Sequence, residues 1–252
     1  MAFFRHIFGL LWPALICAFG ASSCQDRYSE TDILIAAATN FTRAAEDLIS
    51  DFEDTAPYTA ALSPGSTGKL FAQIKAGAPY DIFLSADQER PLILTQDGIA
   101  VKGSQFTYAQ GQLVLYGSDN PAHADTLSAG RFKTLAIANP DLAPYGRAAM
   151  EALENLDVME TPNYKIVMGE NVGQAYALVH TGHADYGLVA QSHFTQSDDI
   201  PFSPVPQHLY APIRQDAVLL KQSPAASAFM AYLRSQRARD IMRNHGYSHA
   251  DG

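Results

Sequence analysis

Only two cysteines occur in the 252 residues, Cys17 and Cys24, and both stand near the N-terminus. The rest of the chain therefore offers neither a disulfide framework nor a thiolate metal site, and its fold must hold by core packing. Basic charge is scarce as well: 17 Lys and Arg stand against 26 Asp and Glu, a formal charge of −9. This balance argues against a chain whose main task is gripping a nucleic-acid backbone, and so acidic a surface repels anions at long range. Chemistry-bearing signatures are missing too. There is no Gly-x-Ser-x-Gly elbow, and no carboxylate pair or Cys/His arrangement stands out, which makes an enzyme the minority reading. What is present is 47% hydrophobic against 17% charged residues. That suffices for a sizeable core, in one large domain or two small lobes at about 150 residues per domain.

The N-terminus has the order of a secretory signal. Arg5 and His6 precede an apolar run over residues 7–19, and Gly20-Ala21-Ser22-Ser23 supplies small residues for cleavage. The run is short for a membrane span, which needs about 20 apolar residues, and Pro13 interrupts it as a helix. Residues 1–24 are read as a signal peptide. Cleavage after a small residue would release a soluble protein, whereas Ala21-Ser22-Ser23-Cys24 resembles a weak lipobox that would place a lipid on Cys24. Either route carries the chain out of the cytoplasm.

From Ile33 on, an apolar strand, a small-residue turn and an amphipathic helix recur. Residues 33–38 form a continuous apolar run suited to a sheet covered on both faces. Phe41, Ala44, Ala45, Leu48, Ile49 and Phe52 then follow at helical spacing, with Thr39 as the natural N-cap. Further strands are expected at 58–62, 80–85, 112–116, 135–138, 165–168, 186–190 and 217–220, with helices at 70–77, 88–95, 147–156, 172–180 and 225–243. The Pro-rich stretch 201–212 breaks the pattern. The alternation implies an α/β fold with parallel-rich sheets flanked by helices. Two sets of units imply two lobes: 30–110 with 212–252, and 111–211. A ligand cleft between them would be lined by strand-to-helix turns.

Four of those turns share a chemical character: Ala38-Thr39-Asn40, Gly65-Ser66-Thr67-Gly68, Ala143-Pro144-Tyr145-Gly146 and Gly169-Glu170-Asn171-Val172-Gly173. Each puts small or hydroxyl residues at a helix start, where unpaired N–H groups and about half a unit of positive charge favour an anion. Any one of them alone is explained as an ordinary cap. Together, in a secreted two-lobe chain, they point to a ligand cleft. Gly65-Ser66-Thr67-Gly68-Lys69 is not a P-loop, because the first Gly is missing at its spacing and Leu70 stands where Ser or Thr would bind magnesium. His180 and His183 have metal-ligand spacing without a legible partner set, and the tail histidines His245 and His249 read as solvated.

These turns, with Gln73-Ile74-Lys75-Ala76-Gly77-Ala78-Pro79 and Asp81-Ile82-Phe83-Leu84-Ser85-Ala86-Asp87, resemble the periplasmic molybdate-binding proteins of ABC importers, over residues 33–247. The resemblance implies a two-lobe solute-binding fold of type II that closes on one tetrahedral molybdate or tungstate and delivers it to a membrane permease. It carries the ligand set onto Thr39, Asn40, Thr67, Tyr145 and the backbone N–H of Val172, with Ser66 as the alternative to Thr67. Many members have a Tyr where this chain has Ala190; another branch uses the Tyr of the Ala-Pro-Tyr-Gly turn, here Tyr145. Molybdenum would enter only as the bound oxyanion. The reading includes no cofactor, no catalytic residue and no nucleic-acid partner, and takes the chain as a monomer.

Two rival ligands and one rival class stay open at this level. Sulfate has the charge of molybdate and differs in size. An organic anion would call on Arg43 or Arg147, which lie near two of the turns. A secreted enzyme on the same scaffold would need a titratable group in the cleft, with Glu170 and Asp87 as candidates.

Overall fold

The computed structural model describes residues 31–117, 122–123, 125–159, 164–194 and 201–248. The expected signal peptide, with Cys17 and Cys24, lies outside them, as does His249. In chain order the elements are β1 (Ile33–Ala38), α1 (Thr42–Thr55), β2 (Ala60–Gly65), α2 (Thr67–Lys75), β3 (Ile82–Leu84), α3 (Glu89–Gln96) and β4 (Phe106–Gly111). The chain continues through β5 (Leu113–Tyr116), α4 (Thr126–Ala129), β6 (Thr134–Ala138), α5 (Pro144–Asn155), β7 (Lys165–Gly169), α6 (Val172–His180), β8 (Tyr186–Ala190) and β9 (Phe202–Pro204). It closes with β10 (Ile213–Leu219), α7 (Pro224–Tyr232) and α8 (Gln236–Asn244).

The strands form two five-stranded sheets, ordered β2-β1-β3-β10-β4 and β7-β6-β8-β5-β9. In each, three strands run parallel, the fourth is antiparallel to its neighbours on both sides, and the edge strand resumes the common direction. The two sheets thus share one plan, as two lobes of like topology. Only Gln112 separates β4 from β5, so the chain passes from one sheet to the other almost without a linker; it returns between β9 and β10.

Burial follows the two-residue period of a strand covered on both faces. In the first sheet, Ile33, Ile35 and Ala37 pack with Leu48, Phe52, Phe229 and Met242 of the helices on one side. Their alternates Ala36, Phe83 and Val218 pack with Leu70, Ile74 and Leu94 on the other. The second sheet has its own core, built around Leu113, Leu135, Ile137, Leu188 and Val189.

Several boundaries differ from expectation. The C-terminal helix is two helices, because Ser235 restarts the chain as an N-cap, its Oγ accepting from Ala238 N–H at 3.1 Å. Strand β10 starts four residues early, since Ile213 and Gln215 are buried inside the sheet despite the exposed Arg214 between them. Strands β4 and β9 were not anticipated; β9 is a three-residue edge strand, the position at which proline is tolerated.

Candidate oxyanion site between the lobes

The four turns hang from neighbouring strand ends. Ala38 pairs with Gly65 at the ends of β1 and β2, and Ala138 with Gly169 at the ends of β6 and β7. The first sheet therefore presents the Thr39 turn beside the Ser66 turn, and the second presents the 139–146 turn beside the Glu170 turn. The two pairs meet. Gly68 N–H at the start of α2 donates to the Leu142 carbonyl at 2.8 Å. At the start of α6, a Cβ on Gly173 would stand 3.4 Å from Thr39 Cβ. Lys69 and Glu170 form an ion pair across the same seam.

Thr39 does not cap α1. It opens a single 3-10 turn, its carbonyl accepts from Thr42, and the N-cap of α1 is Phe41 without a side-chain bond. The reason is steric economy: the extra turn lets Asn40 and Phe41 bury before the helix begins, and it leaves the Thr39 hydroxyl uncommitted to a cap. Thr67 and Val172 are each the first residue of a nine-residue helix and are 2% and 3% exposed, so their N–H groups have no acceptor within the helix. The true caps precede them: Ser66 Oγ accepts from Lys69 N–H at 3.4 Å and Asn171 Oδ1 from Gln174 N–H at 2.9 Å. Thr67 Oγ1 accepts from Ala86 N–H at 3.4 Å. Tyr145 enters at the second position of α5, behind Pro144 at the first, where proline costs no hydrogen bond.

Tyr145 is 1% exposed and belongs to a buried polar cluster drawn from distant parts of the chain. Gln215 Oε1 accepts from Asn40 Nδ2 at 2.9 Å and from the Tyr108 hydroxyl at 3.1 Å. Gln215 Nε2 lies 3.5 Å from the Tyr145 hydroxyl. Tyr247 and Ser192 both donate to the Asn40 carbonyl, at 2.7 and 2.8 Å. Burial, and next the neighbouring Tyr247, push the Tyr145 hydroxyl well above its ordinary pKa, so it keeps its proton. Burial does the same for Tyr108 and Tyr247.

A cavity of about 400 Å³ adjoins this cluster, lined among others by Thr39, Asn40, Asn171, Gly173, Ser192 and His193. The charged side chains around the seam are engaged. Arg43 donates to the His193 carbonyl at 3.0 Å, and Asp87 lies between Arg90 and Arg147, 3.0 Å from Arg147 Nη2. What converges is therefore a set of hydroxyls, amides and helix N-termini from both lobes.

The comparisons with known proteins agree with that geometry. The family described as bacterial extracellular solute-binding protein matches residues 33–248. The molybdate-binding protein ModA of Rhodobacter capsulatus is 41% identical over 222 residues, 86% of this chain and 88% of its own length. That of Azotobacter vinelandii is 39% identical over 243 residues, 92% of this chain and 96% of its own. The solved Azotobacter vinelandii periplasmic molybdate-binding protein superposes with a TM-score of 0.81 at 34% identity, covering 86% of this chain and 99% of that one. This chain belongs to the bacterial extracellular solute-binding proteins, within the molybdate-binding family.

In this solute-binding protein Ala190 ends β8 fully buried, and Tyr145 of α5 is the tyrosine from the second lobe's turns that joins the polar cluster. Gln215, Tyr108, Ser192 and Tyr247 were not singled out from the sequence. Their one signal is the polar Arg214-Gln215-Asp216 placed just before an apolar run, which reads as a loop until the sheet is seen. His245 is a correction: it is 7% exposed, and its Nε2 lies 2.7 Å from Asp47 Oδ2, because the turn after α8 folds back onto α1. His180 stacks on Tyr176 with ring centres 5.4 Å apart, and His183 Nδ1 meets Thr181 Oγ1 at 2.8 Å. Among the described residues no helix is long and apolar enough to cross a membrane.

Proposed function

We propose that this protein captures one molybdate or tungstate dianion between its lobes in the periplasm and delivers it to the permease of an ABC importer. The observation that carries the reading is the meeting of helix N-termini and buried uncharged donors from both sheets at one seam, in a chain so similar to molybdate-binding proteins. Thr39 and Asn40 would supply donors from the first lobe together with Thr67 or Ser66; Tyr145 and the Val172 N–H would supply them from the second. The lobes divide near residues 110 and 211. The chain acts as a monomer behind a cleaved leader or a lipid on Cys24, and it turns over no substrate.

A hydrogen bond to a charged group contributes about 1.5–3 kcal/mol net. Six or seven would offset dehydration of the ion and leave about 8–10 kcal/mol, a micromolar or tighter site. A site of donors alone has no acceptor for the hydrogen of a protonated oxyanion and rejects it. Sulfate must be excluded by cavity size. Because the ion touches both lobes it favours the closed state over the open one, and closure is the signal a permease can read.

Calorimetric titration of the purified protein with molybdate, tungstate, sulfate and phosphate tests this. Tight binding of the first two with weak or absent binding of the others is expected. No heat from any of the four would sink the reading, and a preference for sulfate would move the chain to that ligand.

A further inference from the structure

The bond directions inside the buried cluster follow from its chemistry. A main-chain carbonyl can only accept, so the Asn40 carbonyl takes the hydrogen of the Tyr247 hydroxyl. Tyr247 must then be the acceptor in its 3.0 Å contact with the Asn40 side chain, which fixes that side chain with its NH₂ toward Tyr247. The same NH₂ donates to Gln215, so the Gln215 atom facing it is the carbonyl oxygen. The Tyr108 hydroxyl lies 3.1 Å from that oxygen and 3.3 Å from the Ser85 carbonyl, and its one hydrogen serves these two acceptors. Gln215 is fully buried and has one direction left for its own NH₂, toward the Tyr145 hydroxyl.

An amide NH₂ cannot accept. The Tyr145 oxygen thus faces a donor on the protein side, and the Asn40 side-chain amide nearby, whose two hydrogens go to Gln215 and Tyr247, offers it no acceptor. Among the described residues the Tyr145 hydrogen has no acceptor. On the side of Gly111 the hydroxyl is tightly packed: a Cβ there would stand 2.0 Å from it and 2.7 Å from Gln215 Nε2. The pair is thus packed against the strand where the chain passes from one lobe to the other.

We propose that Gln215 is a positioning and specificity-determining residue, which makes Tyr145 an obligate donor to the oxyanion by occupying the acceptor side of its hydroxyl. A free tyrosine hydroxyl can turn and accept the hydrogen of a protonated oxyanion; this one cannot. Gln215 would in this way impose the donors-only character of the site on its tyrosine hydroxyl. The inference rests on the oxyanion-binding reading and deepens it.

Replacing Gln215 by Glu tests it, because a carboxylate oxygen in place of the NH₂ takes the Tyr145 hydrogen and turns the hydroxyl oxygen toward the ligand as an acceptor. Titrations with molybdate and with inorganic phosphate at mildly alkaline pH, where phosphate is a protonated dianion, give the selectivity ratio. In Gln215→Glu molybdate affinity should fall at least about tenfold while phosphate binding strengthens, so the ratio collapses. Gln215→Met, which removes the donor without supplying an acceptor, should weaken molybdate without strengthening phosphate. In a Tyr145→Phe background neither change at Gln215 should move the ratio. A folded Gln215→Glu protein with the parental ratio, or an equal change in the Tyr145→Phe background, overturns the proposal. If Gln215→Glu does not fold, additive effects of Gln215→Met and Tyr145→Phe overturn it instead. Wild-type protein that takes up no molybdate defeats the oxyanion reading itself; wild-type binding without Gln215–Tyr145 coupling defeats only this inference.

Discussion

At the scale of single residues, Ser66 and Thr67 have different local duties although they are adjacent. Ser66 Oγ closes the start of α2, whereas Thr67 Oγ1 reaches the turn after β3. Ser66→Ala should therefore cost stability, about 1 kcal/mol as for an ordinary N-cap, visible as a lower melting temperature without ligand. Thr67→Ala should weaken molybdate binding with a smaller change in melting temperature; the reverse pattern would make Ser66 the ligand hydroxyl. His193 invites a second prediction. Its ring nitrogens are sealed from solvent without a well-formed hydrogen bond, and the ring stacks on Tyr176 with centres 4.9 Å apart. Burial holds its pKa down at about 4, with the Ala190 carbonyl and the Arg43 guanidinium shifting it less. The unfolded chain titrates this group near 6.5, so between the two values the unfolded state binds more protons than the folded one. The fold is unaffected above about pH 6.5 and loses stability as pH falls toward 4. His193→Phe keeps the stack and should flatten melting temperature against pH across that window; parallel curves for the two proteins would refute the assignment.

At the scale of elements, the start of α5 sets where Tyr145 lies, and it is pressed against the sheet. A Cβ on Gly146 would fall 2.3 Å from the Ala138 carbonyl and 2.8 Å from the Pro140 nitrogen, both backbone and neither able to rotate away. Gly146→Ala must displace the helix start. It should lower the melting temperature by several degrees and weaken molybdate by more than the stability loss predicts, since Tyr145 moves with the helix; unchanged affinity would show that the turn yields elsewhere. Elements of this kind were legible in the sequence. Apolar runs such as 33–38 and 135–138, followed by small-residue turns and helical spacing, carry the repeating strand-turn-helix plan, and the turns in turn carry the candidate site. The missing parts have physical reasons. Strand β4 alternates aromatic, polar and small residues without a continuous apolar signal, and Gln215 is polar in a strand whose burial is decided by partners more than a hundred residues away. Thr39 is a good capping residue, and tertiary packing of Asn40 and Phe41 overrode that local preference.

For the whole molecule, a net charge of −9 and an anionic ligand are reconciled by distance. The summed charge slows approach and is screened within about 10 Å at moderate salt, while the donors act at contact. What salt does next depends on the seam between the lobes, where opposite charges meet: Lys69 with Glu170 and Arg147 with Asp87. The second pair is arranged so that closing costs little desolvation. Asp87 is already paired with Arg90 of its own lobe and is 10% exposed, and Arg147 arrives from the other lobe as a second partner. When the lobes part, Asp87 keeps one cation and is never left buried alone. Removing Arg147 therefore deletes this contact and a longer one of 3.9 Å to Glu89, both made across the seam. Arg147 stays 39% exposed, so the contact belongs with the modest ion pairs, worth about 1 kcal/mol or less. Arg147→Gln should raise the molybdate dissociation rate about threefold to fivefold and leave the association rate nearly unchanged, because the transition state for encounter precedes closure. Stopped-flow measurements at low and high salt check both statements. Raising salt should speed association in both proteins by screening the global repulsion, and should speed dissociation more in the wild type, which still has the pair to lose. Equal salt dependence of dissociation in the two would mean that the Asp87–Arg147 contact does not hold the lobes together.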